Sequence, residues 1–382
     1  MLDLADAVII GGGINGLSVA YNLARLGLRK VRVLEKNYLA SGATGRCGAG
    51  VRQQWGTEMN ISLARASIKK FEVMNDELGY YRDIEFKQKG YLMLAYTGKQ
   101  LEQFQKNVVL QRSLGVPVSL ITPAEAGGIV PHLNTEGLLG ATFCPEDGHV
   151  NPFHAAEAYA LAAKRLGVEI HPFTEVQAIL VEDGRVRGVL TAAGTVATPI
   201  VVNTAGGYSA EVSRMAGVEI PTYSERHQIL VTEPVEPLQG PMVISFYHGI
   251  YCQQTPHGSF IMGQGDPNEP KGHDLGHSWQ FLTEVARKVT WLLPPLKGLR
   301  LVRQWSGSYN MTPDAQPIIG EAAEVKGFFL AVGFSGHGFM LAPMTGQLLA
   351  EKILGLPTTL PIDMLGLERF ARGELIREPS VV

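Results

Sequence analysis

Six residues near the start of the chain, Gly11-Gly12-Gly13-Ile14-Asn15-Gly16, have the types and spacing that bind a dinucleotide. In this G-x-G-x-x-G pattern, Gly11 permits a tight turn, and Gly13 lets the backbone approach a pyrophosphate with no Cβ between them. Gly16 lets the following helix pack closely on the sheet, so that its N-terminal N–H groups and positive dipole end face the phosphates. Glu35 follows about twenty residues later, where a carboxylate can accept from ribose hydroxyls. The acid favours a free 2′-hydroxyl, as in FAD or NAD rather than NADP.

Local sequence predicts the unit that must position these residues. A β-branched run at 7–10 leads into the glycines, an amphipathic stretch at 17–26 leads out of them, and a second apolar run at 31–34 ends on Glu35. Short apolar runs bounded by glycine are typical of buried strands. The order strand, turn, helix, strand, acid is far more specific than an isolated glycine pattern, whose alternative interpretation is a turn that binds no nucleotide.

Arg52 is a second candidate for chemistry, and it follows a loop of small residues at 41–50. The small side chains let the backbone run against a flat ligand, although a flexible surface loop would have the same composition. A guanidinium can hold a substrate carboxylate through two parallel hydrogen bonds. From spacing alone, Arg52 is equally well explained as a surface charge.

The last third of the chain has the same order of strand, glycine turn and helix as the first unit. A strand predicted at 328–332 is followed by a glycine-rich segment at 333–340 and by a helix predicted from near Pro343 to near Leu354. A helix N-terminus aimed at the pyrimidine end of an isoalloxazine would stabilise an anionic reduced flavin. We call each glycine segment with the helix N-terminus that follows it a cradle; the first is at 11–16 and the second at 333–340. Two cradles suit one long ligand such as FAD. NAD would leave the second cradle unexplained, so the sequence favours FAD over NAD.

Between the cradles, the pattern predicts helices at 98–114 and 151–166, two strands within 179–196, and a β-rich section over 228–263. We expect that section to form a separate sheet that covers one side of a ligand. Its residues Tyr247, Tyr251 and His257 are weaker candidates for a substrate pocket, since each such side chain is more often a packing residue.

Composition excludes several other classes of function. The 382 residues predict two connected domains, and a net charge of −3 with no dense Lys/Arg run gives no reason to expect nucleic acid. The three cysteines, Cys47, Cys144 and Cys252, are widely spaced, which fits a reducing cytoplasm and predicts neither a disulfide framework nor a zinc site.

Metal and membrane roles are likewise not expected. His149 and His154 are not one helical turn apart, and the nearby Asp147 and Glu157 are interpreted as solvated charges. Two acids and no basic segment precede the first strand, so no signal peptide is predicted there. No apolar run is long enough to span a bilayer. The expectation is therefore a cytoplasmic protein without a metal.

Five segments together resemble the FAD-dependent oxidoreductases of the D-amino-acid oxidase type, over essentially the whole chain. They are residues 11–16, 48–54, 202–206, 312–314 and 333–339, the last being the most specific. Within that group, the chain looks most like the β subunits of heteromeric L-proline dehydrogenase and sarcosine oxidase, with glycine oxidase more distant.

The resemblance implies a fold and a division of the chain. The fold class is α/β (α+β overall), with a doubly wound, glutathione-reductase-like FAD-binding domain and an antiparallel-sheet substrate domain that roofs the flavin. The FAD-binding domain would be discontinuous, with residues 1–85, 145–220 and 300–382, and the roof domain would contain residues 86–144 and 221–299.

The resemblance also implies site residues, and it places the arginine for the substrate carboxylate at Arg52. The predicted catalytic set is Arg52, His257, Tyr251 and Met340, with no metal. The predicted cofactor contacts lie in the two cradles, the small-residue loop and the strand ends between them: Gly11, Gly12, Gly13, Ile14, Asn15, Gly16, Glu35, Lys36, Ser41, Gly42, Arg46, Cys47, Gly48, Val176, Ala205, Gly206, Gly307, Asp314, Gly333, Ser335, Gly336, His337, Gly338 and Phe339.

Two positions depart from the monomeric sarcosine oxidases. Those enzymes attach FAD through a cysteine a few residues before their Thr-Pro-Asp, where this chain has Gly307, so non-covalent FAD is predicted. They also carry a lysine directly after their Gly-Phe-Ser-Gly-His-Gly-Phe, where this chain has Met340, as do the proline dehydrogenase β subunits.

The activity implied is oxidation of a secondary α-amino acid of the L-proline, hydroxyproline or sarcosine type, by hydride transfer to flavin N5. Electrons would pass to a second flavin such as FMN, shared with an α-type partner subunit in a hetero-oligomer. Two alternatives stay open: an oxidase that uses oxygen directly, and a redox-inactive subunit stabilised by FAD. The presence of Arg52 argues against the second alternative.

Overall fold

Two large sheets carry the architecture. The computed structural model describes residues 3–266 and 268–379. In that part of the chain the strands are β1 (Asp3–Leu4), β2 (Ala7–Ile10), β3 (Val31–Leu34), β4 (Gly50–Val51), β5 (Tyr91–Ala95), β6 (Ser119–Ile121), β7 (Gly140–Cys144), β8 (Gly148–His149), β9 (Glu169–His171), β10 (Val176–Glu182), β11 (Arg185–Thr191), β12 (Gly194–Ala197), β13 (Val201–Asn203), β14 (Tyr223–Pro234), β15 (Met242–Ser245), β16 (Ile250–Gln254), β17 (Ser259–Gln264), β18 (Leu301–Met311), β19 (Ile318–Glu321) and β20 (Phe328–Val332).

The helices include those predicted at 98–114 and 151–166. They are α1 (Ile14–Arg25), α2 (Glu58–Glu77), α3 (Gly98–Ser113), α4 (Pro123–Ile129), α5 (Pro152–Arg165), α6 (Ser209–Met215), α7 (Trp279–Leu292), α8 (Gly338–Ile353) and α9 (Glu368–Arg372). Asn151 caps α5 as predicted, because its side-chain oxygen accepts from the N–H groups of Phe153 and His154. In the described part of the chain, no helix is long and apolar enough to cross a bilayer.

The helix predicted from near Pro343 is α8, which begins at Gly338, five residues before that predicted start. Proline lacks an N–H, so Pro343 removes a single bond to the preceding turn. The helix packs closely on α1, since a Cβ at Gly346 would lie 2.1 Å from the Ser18 hydroxyl. This close approach accounts for a glycine in the middle of a buried helix.

The six-stranded sheet has the order β19-β20-β13-β2-β3-β9, and all its pairs are parallel except β19 with β20. Ala7 and Ile9 on β2 join the core formed with α1, α5 and α8. Val8 and Ile10 point to the other face, where a four-stranded sheet and α6 cover them. Because both faces are buried, every residue of β2 is apolar. The predicted α/β fold class is confirmed, with a small sheet in place of some of the helices on one face.

That four-stranded sheet has the order β1-β12-β11-β10. The prediction of two strands within residues 179–196 is incomplete, because the turn at 192–193 separates a third strand, β12, from β11. Val176 begins β10 and is buried.

The eight-stranded sheet, of order β18-β14-β17-β16-β15-β5-β7-β6, is antiparallel except where β15 meets β5. It is the separate sheet predicted for the β-rich section. The proposed division into domains stays a prediction, although β18, which that division assigns to the FAD-binding domain, pairs along its length with β14 of the eight-stranded sheet.

A two-stranded sheet of β4 and β8 connects the layers and positions two charged residues. Gly50 pairs with His149, and Val51 pairs with Gly148. Arg52 therefore lies immediately after β4, and Asp147 lies immediately before β8, on adjacent strands.

A buried ion pair joins α9 to the loop after β18. The Arg369 Nε lies 2.8 Å from one oxygen of Asp314, and its Nη2 lies 3.0 Å from the other, with both side chains 1% exposed. Burial raises the pKa of Asp314, but the hydrogen bonds and charge of Arg369 outweigh it and lower that pKa overall. Each charge depends on the other for its solvation.

We expect Arg369→Met to destabilise the protein by about 3–5 kcal/mol, because it leaves the Asp314 carboxylate buried without its cation. Thermal unfolding of the FAD-loaded protein measures this as a lowered Tm. The double variant Arg369→Met/Asp314→Leu is the control and should recover much of the loss. A single variant with an unchanged Tm would contradict this account of the pair.

Candidate active site

The first cradle is the turn between β2 and α1. Gly11 has a φ of +115°, and a Cβ there would lie 2.6 Å from the Thr204 carbonyl oxygen. A Cβ at Gly16 would lie 2.1 Å from the Gly11 carbonyl oxygen. Both positions need glycine for the reasons that the sequence pattern suggests: backbone conformation at the first and close packing at the second.

The N-terminus of α1 is open to an anion. Within the described residues, α1 has no side-chain cap and no acid in its first turn. The Ile14 N–H donates to the Thr44 hydroxyl (3.1 Å), and the Asn15 Oδ1 is buried without a partner among the described residues. The uncapped helix start fits a phosphate group, because its free N–H groups and positive dipole end favour an anion.

Glu35 lies at the end of β3, as predicted. Its carboxylate accepts from the Gly12 N–H (2.7 Å) and from the Asn37 N–H (2.8 Å). The neighbouring Lys36 places its Nζ 3.1 Å from the centre of the Tyr208 ring. Ala205 and Gly206 follow β13 and share this edge of the sheet with the glycine turn, since β13 is the parallel neighbour of β2.

The second cradle precedes α8 and packs on β18. The side chain of Asn310 accepts from the Gly333 N–H (2.6 Å), and its carbonyl accepts from the Ser335 N–H (2.8 Å). A Cβ at Gly336 would lie 2.3 Å from the Tyr309 ring. As for α1, the described residues provide α8 with neither a side-chain cap nor a first-turn acid.

The two cradles meet at Asn15, whose Nδ2 donates to the Gly338 carbonyl oxygen (3.0 Å). Two uncapped helix starts therefore lie side by side at one edge of the six-stranded sheet. This arrangement fits FAD, whose diphosphate α1 would hold and whose ribose hydroxyls Glu35 would accept from.

The loop at 41–48 bridges this edge and the eight-stranded sheet. Arg46 donates from Nη1 to the Ser306 carbonyl oxygen (3.0 Å), and its own carbonyl accepts from the Trp305 Nε1 (2.9 Å). A Cβ at Gly307 would lie 3.1 Å from the Arg46 Cβ. Burial raises the pKa of Cys47 in this loop to about 12, so the thiol is neutral.

Arg52 is buried at 3% exposure, which excludes the interpretation as a surface charge. Its guanidinium carbon lies 3.8 Å from the centre of the Trp55 ring, and its Nη1 donates to the Gln54 carbonyl oxygen. The Trp55 ring meets the His337 ring edge-on, with 4.6 Å between centres. Burial and the positive charge of Arg52 lower the pKa of His337 to about 3, so this histidine is neutral.

Asp147 contradicts its interpretation as a solvated charge, because it is fully buried. One oxygen accepts from the Gln53 N–H (2.9 Å), and the other accepts from the Gln54 Nε2 (2.9 Å). Burial raises the pKa of Asp147 to about 7, and the charge of Arg52 opposes that rise. Glu157 is also only partly exposed, since it accepts from the Tyr80 hydroxyl at 2.6 Å.

Three tyrosines surround the same interior region. Burial raises the pKa values of Tyr91, Tyr251 and Tyr309, and each lies within electrostatic reach of another of the three. A Cβ at Gly50 would lie 1.7 Å from the Tyr91 hydroxyl, and Tyr91 also lies within reach of the charge of Arg52. The Tyr251 ring lies against Gly48 and Gly263, and its place in a substrate pocket stays a prediction.

The structure does not bring the other two pocket candidates to this region. The His257 side chain is 70% exposed, and its Nε2 lies 3.1 Å from Glu85. Tyr247 is exposed and packs against Tyr96 and His248. Both residues belong to the predicted β-rich section, but they lie in the turns that follow β15 and β16, where their side chains are exposed.

His257 instead lines a cavity of about 410 Å³ that residues of the 41–48 loop also line. Exposed residues at its rim show that it reaches the surface, and Arg52 is absent from its described lining. Its lining combines aromatic rings, two arginines and part of the predicted cofactor set: Tyr38, Ser41, Arg46, Cys47, Gly48, Glu85, His149, Phe153, His257, Arg303 and Trp305. The His149 Nε2 is buried with no partner in the described chain, and burial lowers its pKa to about 4.

Two further predicted residues have core surroundings. Met340 is buried in the first turn of α8, beside Phe339, whose ring stacks on Phe71 at 5.7 Å. The Asp314 carboxylate pairs with Arg369 and also accepts from the Gln316 and Ile376 N–H groups, and its role as a cofactor contact stays a prediction. Among the described residues, no group of three or more His, Cys, Asp and Glu side chains could hold a metal ion.

Three residues of the site were not found from the sequence. Thr44 lies inside the predicted small-residue loop, but only its contact with the Ile14 N–H distinguishes it. Asp147 lies in a loop that resembles any polar turn, and its burial depends on β8 pairing with β4. Glu378, near the end of the chain, contacts the start of α2, and nothing local in the sequence indicates this contact.

Comparisons with known proteins agree with this geometry. The family of FAD dependent oxidoreductases known as DAO matches residues 6–352. The chain is 31% identical over 379 residues to the sarcosine oxidase subunit beta of Arthrobacter sp, covering 98% of this chain and 93% of that protein. It is 29% identical to the corresponding subunit of Rhodobacter capsulatus, covering 98% of this chain and 90% of that one.

Among solved structures, the fold matches L-proline dehydrogenase from P. horikoshii with a TM-score of 0.93 and 39% identity, over 98% of this chain and 100% of that one. The resemblance inferred from the sequence motifs is thereby confirmed, together with the fold that it implied. The chain belongs to the DAO family of FAD-dependent oxidoreductases.

Proposed function

We propose that this protein oxidises a secondary α-amino acid of the proline or sarcosine type, with Arg52 binding the carboxylate of the substrate. The observation that carries the proposal is the buried guanidinium against the Trp55 ring, which also meets His337 of the second cradle. The relatives support the substrate class, since their names refer to sarcosine and L-proline.

The electrostatics of Arg52 favour an anionic ligand. Burial lowers the pKa of this guanidinium, and the charges of Asp147 and Glu378 oppose that effect. A buried cation is stabilised by any further carboxylate that can reach it with good hydrogen-bond geometry. An amino acid supplies such a group at a fixed distance from its amine.

The two cradles would hold FAD, which would supply a hydride acceptor, N5, for the carbon next to the amine nitrogen. The chain's part is to place that carbon correctly, and Arg52 would do so by fixing the carboxylate. The tyrosines Tyr91 and Tyr251 stay protonated, because burial raises their pKa values, so their hydroxyls can donate hydrogen bonds but do not act as strong bases. Hydride transfer from a neutral amine needs no strong base. The site agrees with this, because the lowered pKa of His337 makes it a neutral and weakly basic side chain.

We further propose that the 410 Å³ cavity accepts a second flavin such as FMN, held against a partner subunit. Its aromatic rings suit a flat ring system, Arg46 and Arg303 suit a phosphate, and its volume is that of a small-ligand site. The 41–48 loop lines this cavity and leads directly into β4, after which Arg52 lies. The two sarcosine oxidase relatives are named as beta subunits, which supports a hetero-oligomer.

Arg52→Ala should keep bound FAD and lose most turnover at low substrate. A charge-assisted bidentate contact in a desolvated site contributes about 2–4 kcal/mol, so KM should rise about 30-fold or more. Steady-state kinetics with proline and sarcosine measure this. Arg300→Ala is the control, because the Arg300 side chain is 86% exposed and pairs with Glu233. Unchanged constants in Arg52→Ala would contradict the assignment.

Glu35→Ala should weaken FAD retention without changing which amino acid is preferred. A hydrogen bond to a charged group contributes about 1.5–3 kcal/mol. The variant loses the hydrogen bonds that the Glu35 carboxylate would accept from the ribose hydroxyls of FAD. Equilibrium dialysis of FAD measures the change, with the exposed Glu182→Ala as control.

Acid denaturation of the wild type should release all of the flavin, and flavin that stays with the precipitated chain would contradict non-covalent binding.

Met340 predicts slow reaction with oxygen. A cation near flavin N5 stabilises the negative charge that develops as oxygen is reduced, and a thioether does not. The substrate-reduced protein should therefore be reoxidised slowly in air and quickly by a dye acceptor. Met340→Lys should speed the reaction with air, whereas Met340→Leu, the control for side-chain packing, should not.

Fast peroxide production by the wild type would support the alternative, an oxidase in which Met340 is a packing residue and another cation assists oxygen. The burial of Met340 is compatible with that alternative, and the reoxidation rate distinguishes the two.

A further inference from the structure

The C-terminal segment at 374–379 lies against the first turn of α2. The Glu378 carboxylate accepts three hydrogen bonds there: from the Gly56 N–H (2.7 Å), the Thr57 hydroxyl (2.8 Å) and the Asn60 Nδ2 (2.8 Å). This segment belongs to no helix or strand, because α9 ends at Arg372. A carboxylate distant in sequence therefore occupies the start of a 20-residue helix.

The start of α2 is shaped for this contact. In the described structure, Thr57 is the N-cap of α2, but its side chain does not cap its own helix and instead donates to Glu378. A Cβ at Gly56 would lie 2.4 Å from the Pro379 ring, so a larger residue would displace the segment. The positive end of the helix dipole favours the carboxylate in this position.

The path of the segment is fixed upstream by the buried ion pair. The Ile376 N–H lies 3.3 Å from an oxygen of Asp314, which Arg369 holds in place. Beyond Ile376, Glu378 provides the hydrogen bonds that hold the segment to α2. The contact at Glu378 can therefore open without unfolding α9.

The same carboxylate acts on the buried guanidinium. The Arg52 Nη1 donates to the Gln54 carbonyl oxygen, two residues before the Gly56 N–H that donates to Glu378, so both charged groups contact the segment at 54–56. The negative charge of Glu378 therefore acts on the Arg52 guanidinium, together with that of Asp147. Arg52 is only 3% exposed with the segment in this position. A ligand carboxylate that reaches Arg52 would therefore bring a second negative charge next to Glu378 in a poorly solvated region.

We propose that Glu378 sets the affinity for the substrate, because its carboxylate and that of the substrate compete for the positive region formed by Arg52 and the start of α2. This inference rests on the proposed role of Arg52. Binding of substrate and docking of the segment oppose each other, and linkage makes the effect reciprocal: each weakens the other by the same factor.

The test uses the FAD-loaded full chain and tetrahydrofuran-2-carboxylate, which has a five-membered ring and a carboxylate but no amine to oxidise. Its Kd is read from the flavin absorbance. Glu378→Gln should lower this Kd about five-fold or more, the range of ordinary coupling between sites. Glu374→Gln is the matched control, because it removes the same charge from an exposed residue paired with Arg372.

Two further measurements separate competition from a structural effect. Tetrahydrofurfuryl alcohol has the same ring without a charge, and its Kd should be equal in all variants. Gly56→Ala should displace the segment sterically and lower the Kd of the carboxylate as Glu378→Gln does. In the wild type, the carboxylate should speed trypsin cleavage after Arg377, and the alcohol should not.

The outcomes distinguish this inference from the proposed function. If Arg52→Ala binds the carboxylate normally, the proposed function fails, and the inference fails with it. If Arg52→Ala loses binding while Glu378→Gln and Glu374→Gln both match the wild type, only the competition is overturned. A higher Kd in Glu378→Gln would show that the segment assists binding, which also overturns the proposal.

Discussion

The meeting of two helix N-termini at Asn15 is the constraint on which the rest of the structure depends. In the described chain neither α1 nor α8 has a side-chain cap, and the Asn15 side chain joins their first turns. Two positive helix ends so close together repel each other unless an anion lies between or beside them. The glycines at 11 and 16 and the close packing at Gly346 bring the helices to this position.

The buried positive charge of Arg52 is a second constraint on the structure. The guanidinium of Arg52 is buried, and a buried charge is costly unless it is paired and hydrogen-bonded. Asp147 supports the segment that carries Arg52 by accepting from its backbone and from Gln54, and the charge of Glu378 acts on the same guanidinium. The environment thus combines one carboxylate fixed between two strands with one carried by the C-terminal segment.

The 41–48 loop connects the first cradle to the eight-stranded sheet. It contacts α1 through Thr44 and the eight-stranded sheet through Arg46. It also forms one wall of the surface cavity. A single run of small residues therefore borders the first cradle and a pocket that reaches solvent, and it leads into β4, directly before Arg52.

The sequence by itself determined the glycine turns, the acid after β3, the helix caps and the alternation of the strands, because these depend on local sterics and on hydrogen bonds between near neighbours. It also carried the motifs that identified the family. Only the tertiary structure decided that Asp147 is buried, that His257 and Tyr247 face outward, and that Asp314 serves Arg369. The seat of Glu378 on α2 belongs to the same group, since its partners are more than 300 residues away in the chain. Burial and pairing of this kind depend on which distant segments come together, and a polar residue in a loop has the same local pattern in either case.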